Sequence, residues 1–110
     1  MEERYKLQNK KRVEFSALLR EHLPAVLSSY GYKLLHDNQL EDQKDSHNWV
    51  FKLIFFGKKV FEVSNDDWRD YTEYFNVYID GQEAFTLKTD DYATAELAFA
   101  DFKTKIQELI

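Results

Sequence analysis

His47-Asn48-Trp49-Val50-Phe51-Lys52-Leu53-Ile54-Phe55-Phe56-Gly57-Lys58-Lys59-Val60-Phe61-Glu62-Val63-Ser64 is the stretch that decides the fold class. Between residues 47 and 56, Trp49, Phe51, Leu53 and Phe55 fall on one face by period-two alternation, the spacing of a strand. The opposite face carries Val50, Lys52, Ile54 and Phe56. That face is mixed rather than polar, so the strand is expected to be central in a sheet and partly covered on both sides. Gly57-Lys58-Lys59 turns the chain, and 60–64 returns as a second strand. A three-residue loop pairs Phe55 with Phe61 and Leu53 with Val63, whereas a two-residue loop sets Leu53 against Glu62. The first is preferred, because a slip of one residue sends a whole set of side chains to the wrong face.

Working outward, 32–36 forms a short mixed strand and 37–46 a polar loop. After an acidic loop at 65–70, 71–79 alternates again, with Phe75, Val77 and Ile79 on one side and Tyr74, Asn76 and Tyr78 on the other. Asp80-Gly81 is a strong hairpin signal, because a tight two-residue turn needs backbone with positive φ. Local and global rules disagree there. A plain two-residue turn pairs Val77 with Ala84 and Phe75 with Thr86, while one extra residue, as in a bulge, pairs Val77 with Phe85 and Phe75 with Leu87. The bulged register packs better.

Both ends are helical. Phe15, Leu18, Leu19, Leu23, Val26, Leu27 and Tyr30 recur at spacings of three and four, which predicts a helix over about 5–30. Pro24 either kinks this helix or starts a second one, and Gly31 supplies the left-handed terminator. Tyr92, Ala95, Phe99, Phe102, Ile106 and Leu109 mark the stripe of a C-terminal helix, with Thr89, Asp90 or Asp91 as its N-cap. The expected architecture is α-β-β-β-β-β-α, an α+β fold. It has an N-terminal helix, a five-stranded mostly antiparallel sheet and a C-terminal helix, with one layer of helices on the principal sheet face.

Composition narrows the function classes. The 110 residues suit a single domain, 1–110, that buries roughly 65% of its unfolded surface. A hydrophobic fraction of 44% with 18 aromatic side chains excludes disorder and collagen-like repeats. Cysteine is absent, which removes disulfides, thiolate chemistry and cysteine-based metal sites. Apolar runs such as 53–56 fall far short of the roughly 20 residues that span a bilayer. No apolar h-region follows Met1-Glu2-Glu3-Arg4-Tyr5-Lys6, so a cytoplasmic protein without a signal peptide or membrane contact is expected.

The net charge of −5 is unevenly spread: residues 1–12 carry +3, and residues 62–91 carry nine acids against Arg69 and Lys88. Such a field repels phosphate backbones and attracts basic surfaces. No glycine-rich loop or nucleophile elbow occurs, since Gly31, Gly57 and Gly81 are isolated and Ser28 and Ser29 lie in the helix region. His22 reads as a helix-surface residue. His36 and His47 flank the polar loop with Asp37 and Asp45 nearby, but their spacing matches no zinc signature. Neither catalysis, cofactor nor metal is expected.

What stands out is Asp66-Asp67-Trp68-Arg69-Asp70-Tyr71-Thr72-Glu73-Tyr74, where ring side chains alternate with carboxylates. Trp, Tyr and Arg commonly anchor interfaces. Asp66, Asp67, Trp68, Asp70, Tyr71, Glu73, Tyr74 and Tyr78 are therefore the candidate partner-binding residues. Aromatics on a sheet also suit single-strand nucleic acid, but the flanking aspartates oppose it. The expectation is a small acidic protein-binding module, monomeric or homodimeric, that occludes a basic protein partner in the manner of an inhibitor, immunity protein or antitoxin. The alternatives are an assembly subunit associating through its sheet and a small-molecule-binding domain.

Overall fold

A computed structural model describes residues 2–37, 51–65 and 74–110. In chain order it comprises α1 (Glu2–Ser28), β1 (Lys33–Asp37), β2 (Phe51–Phe56), β3 (Val60–Asn65), β4 (Tyr74–Ile79), β5 (Gln82–Lys88), a 3-10 turn (Thr89–Asp91) and α2 (Ala95–Leu109). The strands form one five-stranded sheet in the order β1-β2-β3-β4-β5, every neighbouring pair antiparallel. The α+β fold expected from the sequence is the fold observed.

Both hairpin registers follow from burial of the odd-numbered face. Phe55 lies opposite Phe61 and Leu53 opposite Val63, as the three-residue loop requires. In the β4–β5 hairpin the local and global rules are satisfied together. Asp80 and Gly81 take φ of 52° and 84°, the two positive values of a tight hairpin turn, and Ile79 pairs with Gln82. One step further, Tyr78 pairs with Glu83 but Val77 pairs with Phe85, so Ala84 is the bulged residue. The bulge restores Phe85 and Leu87 to the core side.

Phe15, Leu19, Leu23 and Leu27 of α1 and Ala95, Ala98, Phe102 and Ile106 of α2 join the odd-face residues of β2 to β5 in one buried cluster. Its centre is aromatic. Phe15 meets Phe75 edge-on at 4.7 Å and Phe102 at 5.7 Å, while Phe51 meets Phe75 at 5.5 Å, so rings fasten the sheet to both helices. Each such side chain removed from water contributes about 1.5–3 kcal/mol.

Several boundaries differ from the periodic pattern. Pro24 lies inside a continuous α1 rather than dividing it. Proline deprives the Arg20 carbonyl of its helical donor, but Leu19, Leu23 and Leu27, buried on either side, hold the helix through it. The helix closes in a Schellman arrangement, Tyr32 N–H donating to Leu27 O at 3.0 Å and Gly31 N–H to Ser28 O at 3.0 Å. Tyr30 is consequently outside the stripe and half exposed. Tyr32 turns inward instead, packing so closely on Gly57 that a Cβ there would sit 2.9 Å from the ring.

The expected N-cap of α2 also moves. Thr89, Asp90 and Asp91 form their own 3-10 turn, and Thr94 caps the helix, its Oγ1 accepting from Leu97 N–H at 3.2 Å. α2 buries Ala98 and leaves Phe99 only half-buried. Asn65 belongs to β3, not to the following loop. β2 is an inner strand, but the middle of the sheet is β3. Residues 47–50, expected in that strand, and residues 71–73, expected in the next, lie outside the described residues.

Candidate protein-binding surface

Because β-strand side chains alternate, the register that buries the odd face fixes what the even face presents. Tyr78 of β4 lies opposite Glu62 of β3 on one side and Glu83 of β5 on the other. A phenol thus stands between two carboxylates in one row across three strands, and Glu62 in turn faces Ile54 of β2. The adjoining row is polar, running Lys52, Ser64, Asn76 and Thr86. The Thr86 hydroxyl is 2.7 Å from Glu83 Oε2 and 3.1 Å from Asn76 Oδ1, which fixes the Glu83 carboxylate beside the row. Lys52 Nζ approaches Glu62 Oε2 at 4.0 Å.

The rows at either end are aromatic and accessible. Tyr74 is 43% exposed, with Lys88 Nζ 5.6 Å from its ring centroid. At the opposite end Phe56 is 54% exposed beside Val60. Asp80 secures that end: its backbone N–H donates to Val60 O and its Oδ1 accepts from Val60 N–H, both at 2.8 Å. Along β2, burial alternates from fully buried Leu53 and Phe55 to partly exposed Lys52 and Ile54.

Of the eight residues picked from the sequence, Tyr74 and Tyr78 lie on this face; Asp66, Asp67, Trp68, Asp70, Tyr71 and Glu73 fall in 66–73, outside the described residues. The sequence pattern missed Glu62 and Glu83. Only the bulge at Ala84 places Glu83 beside Tyr78 while Phe85 stays with Val77, so the signal lay in a register choice and not in any local motif.

Several polar residues outside this face join one element to another. Arg20 Nε donates to Asp37 Oδ1 at 3.0 Å and its guanidinium lies 4.7 Å from the Phe51 ring centre, joining α1 to β1 and β2. Asp37 is thereby engaged, and of the histidine–aspartate set considered for a metal, His47 and Asp45 lie outside the described residues. Lys11 Nζ donates to Tyr92 O at 2.9 Å and lies 3.5 Å from Asp90 Oδ1. The Tyr92 hydroxyl donates to Asp101 Oδ2. Burial, that hydrogen bond and the nearby negative charges push the Tyr92 phenol from 10.0 up to about 12, which keeps it a protonated donor. His22 is exposed beside Glu21. Among the described residues no helix is long and apolar enough to cross a membrane, and no three His, Asp or Glu side chains gather as a metal site would require.

No family model, no curated protein and no solved structure matches the chain.

Proposed function

We propose that this chain is a protein-binding module, not an enzyme, that meets a basic protein partner with the even-numbered face of its sheet and acts by occlusion, as inhibitors, immunity proteins and antitoxins do. The observation that carries the proposal is Tyr78 held between Glu62 and Glu83. A ring offers desolvated contact area with little side-chain entropy to lose, and flanking carboxylates select a Lys or Arg that lies over it. Residues 66–73, which connect β3 to β4, add four more acids to the same chain region, so a phosphate backbone is disfavoured as the partner.

Comparative capture from the native cell tests this. Wild type and a helix-side control, Glu14→Lys, should recover the same basic protein, whereas Glu62→Lys with Glu83→Lys, and separately Tyr78→Ser, should lose it. If both folded sheet variants capture that protein as well as wild type does, the proposal fails.

A further inference from the structure

Of the four ladders that join the five strands, the two inner ones, β2 with β3 and β3 with β4, run in unbroken register. The two outer ones are each interrupted once. On the β1 side the pairing steps from Leu34–Phe55 to His36–Ile54 and skips Leu35, and on the β5 side it skips Ala84. Both skipped residues are exposed, Leu35 at 60%. The interruptions thus fall on the two strands with a free edge in the described sheet, and on no other. An unguarded edge presents a row of unpaired N–H and C=O groups that another chain can extend. A bulge bends and twists the strand, so that the row no longer matches a partner.

The two edges depend on their bulges to different degrees. β1 is five residues long with Lys33 and Asp37 at its ends, and shortness and charge already discourage pairing. β5 is seven residues long, and Gln82, Glu83, Ala84 and Thr86 are all exposed. Its side chains do not oppose a copy of themselves. Residues flanking a two-residue turn exchange both hydrogen bonds, so a β5 without Ala84 would turn the N–H and C=O of Glu83 and Thr86 outward. In an antiparallel pair about a twofold axis at Thr86, the two copies of Thr86 would meet, Phe85 would face Leu87, and Glu83 would face Lys88. With Ala84 present, Ala84 takes the place opposite Lys88, and the strand bends before Glu83 is reached. We infer that the Ala84 bulge closes the edge of β5 to a second copy and keeps the chain monomeric. The inference is independent of the sheet-face proposal, since it concerns an edge of the sheet and holds whether or not the even-numbered face meets a partner.

Sedimentation equilibrium across micromolar to millimolar protein tests it. The wild type should hold at 13.2 kDa throughout. A variant lacking Ala84 gains no apolar side chain and loses no charge, yet its mass should rise toward twice that of its own chain. It should stop there, because twofold pairing of β5 leaves only the β1 edges outward. Adding Thr86→Pro to that variant removes one outward N–H from each copy and should return it to a monomer. Deleting Glu83 instead of Ala84 makes the same straight ladder without the Glu83–Lys88 pairs, and should give a weaker dimer. Circular dichroism and a cooperative urea transition establish which variants are folded. A wild type that associates in this range overturns the inference. So does a folded Ala84 deletion that stays monomeric, or one whose association is indifferent to Thr86→Pro. Unfolding of both deletion variants overturns it too, because the bulge would then serve the fold and not the edge.

Discussion

Thr89 is fully buried, and its hydroxyl finds no hydrogen-bond partner among the described residues. A buried hydroxyl without a partner keeps its desolvation cost, about 1–3 kcal/mol, while valine has nearly its shape and no such cost. Thr89→Val is therefore expected to raise the free energy of unfolding by about 1 kcal/mol or more, measured as the urea midpoint at unchanged slope; a lowered midpoint would show that the hydroxyl has a structural duty. Tyr92 makes a pH-dependent contribution of definite sign. Its folded pKa of about 12 exceeds the ordinary phenol value of 10.0, so between these values the folded protein holds a proton that the unfolded chain has released. Stability from Tyr92 is present below pH 10 and is lost as pH rises toward 12. Across that window Tyr92→Phe should show a shallower fall in urea midpoint than wild type, and parallel falls would contradict the assigned role. Neither residue's situation is legible in the sequence. Thr89 reads as a helix cap because a threonine precedes two aspartates, but the cap is Thr94, and which threonine is buried depends on where the sheet delivers the chain.

The β4–β5 hairpin shows how far local rules reach at the scale of the element. Asp80-Gly81 fixes the turn, the odd-face aromatics fix the distant register, and Ala84 is the extra residue that reconciles them. Deleting Ala84 should thus leave Phe85 opposite Val77 and Leu87 opposite Phe75 in a plain hairpin, with cooperative unfolding preserved. Deleting Glu83 and Ala84 together shifts both core side chains to the wrong face and should abolish the transition. If the single deletion unfolds the protein, Ala84 is not a simple insertion. The helices are legible in their stripes but not in their phase. Phe102 is fully buried against Phe15 and Phe85, whereas Phe99 sits half-buried on the flank of α2, because the side of the helix turned inward is the one that carries Ala95, Ala98, Phe102 and Ile106. Phe102→Ala is expected to cost about 3–5 kcal/mol and Phe99→Ala distinctly less; equal losses in denaturant unfolding would place both rings in the core.

Over the described residues, the two helices supply their buried side chains to the odd-numbered side of the sheet, and the even-numbered face presents rings and charges around a buried Ser64. The alternation of Tyr74, Asn76 and Tyr78 made part of that face legible in advance. Its Glu62–Tyr78–Glu83 row was not, because residues 16 and 5 positions from Tyr78 meet it only through pairing across three strands. Hydroxyl-radical footprinting of the protein with its captured basic partner tests the division of faces most directly. Oxidation of Phe56, Tyr74 and Tyr78 should fall severalfold in the complex, while Leu97 and His22 on the helical side react as they do without the partner. Protection confined to Leu97 and His22, with the sheet aromatics oxidised at their original rate, would contradict the assignment of the sheet as the binding face.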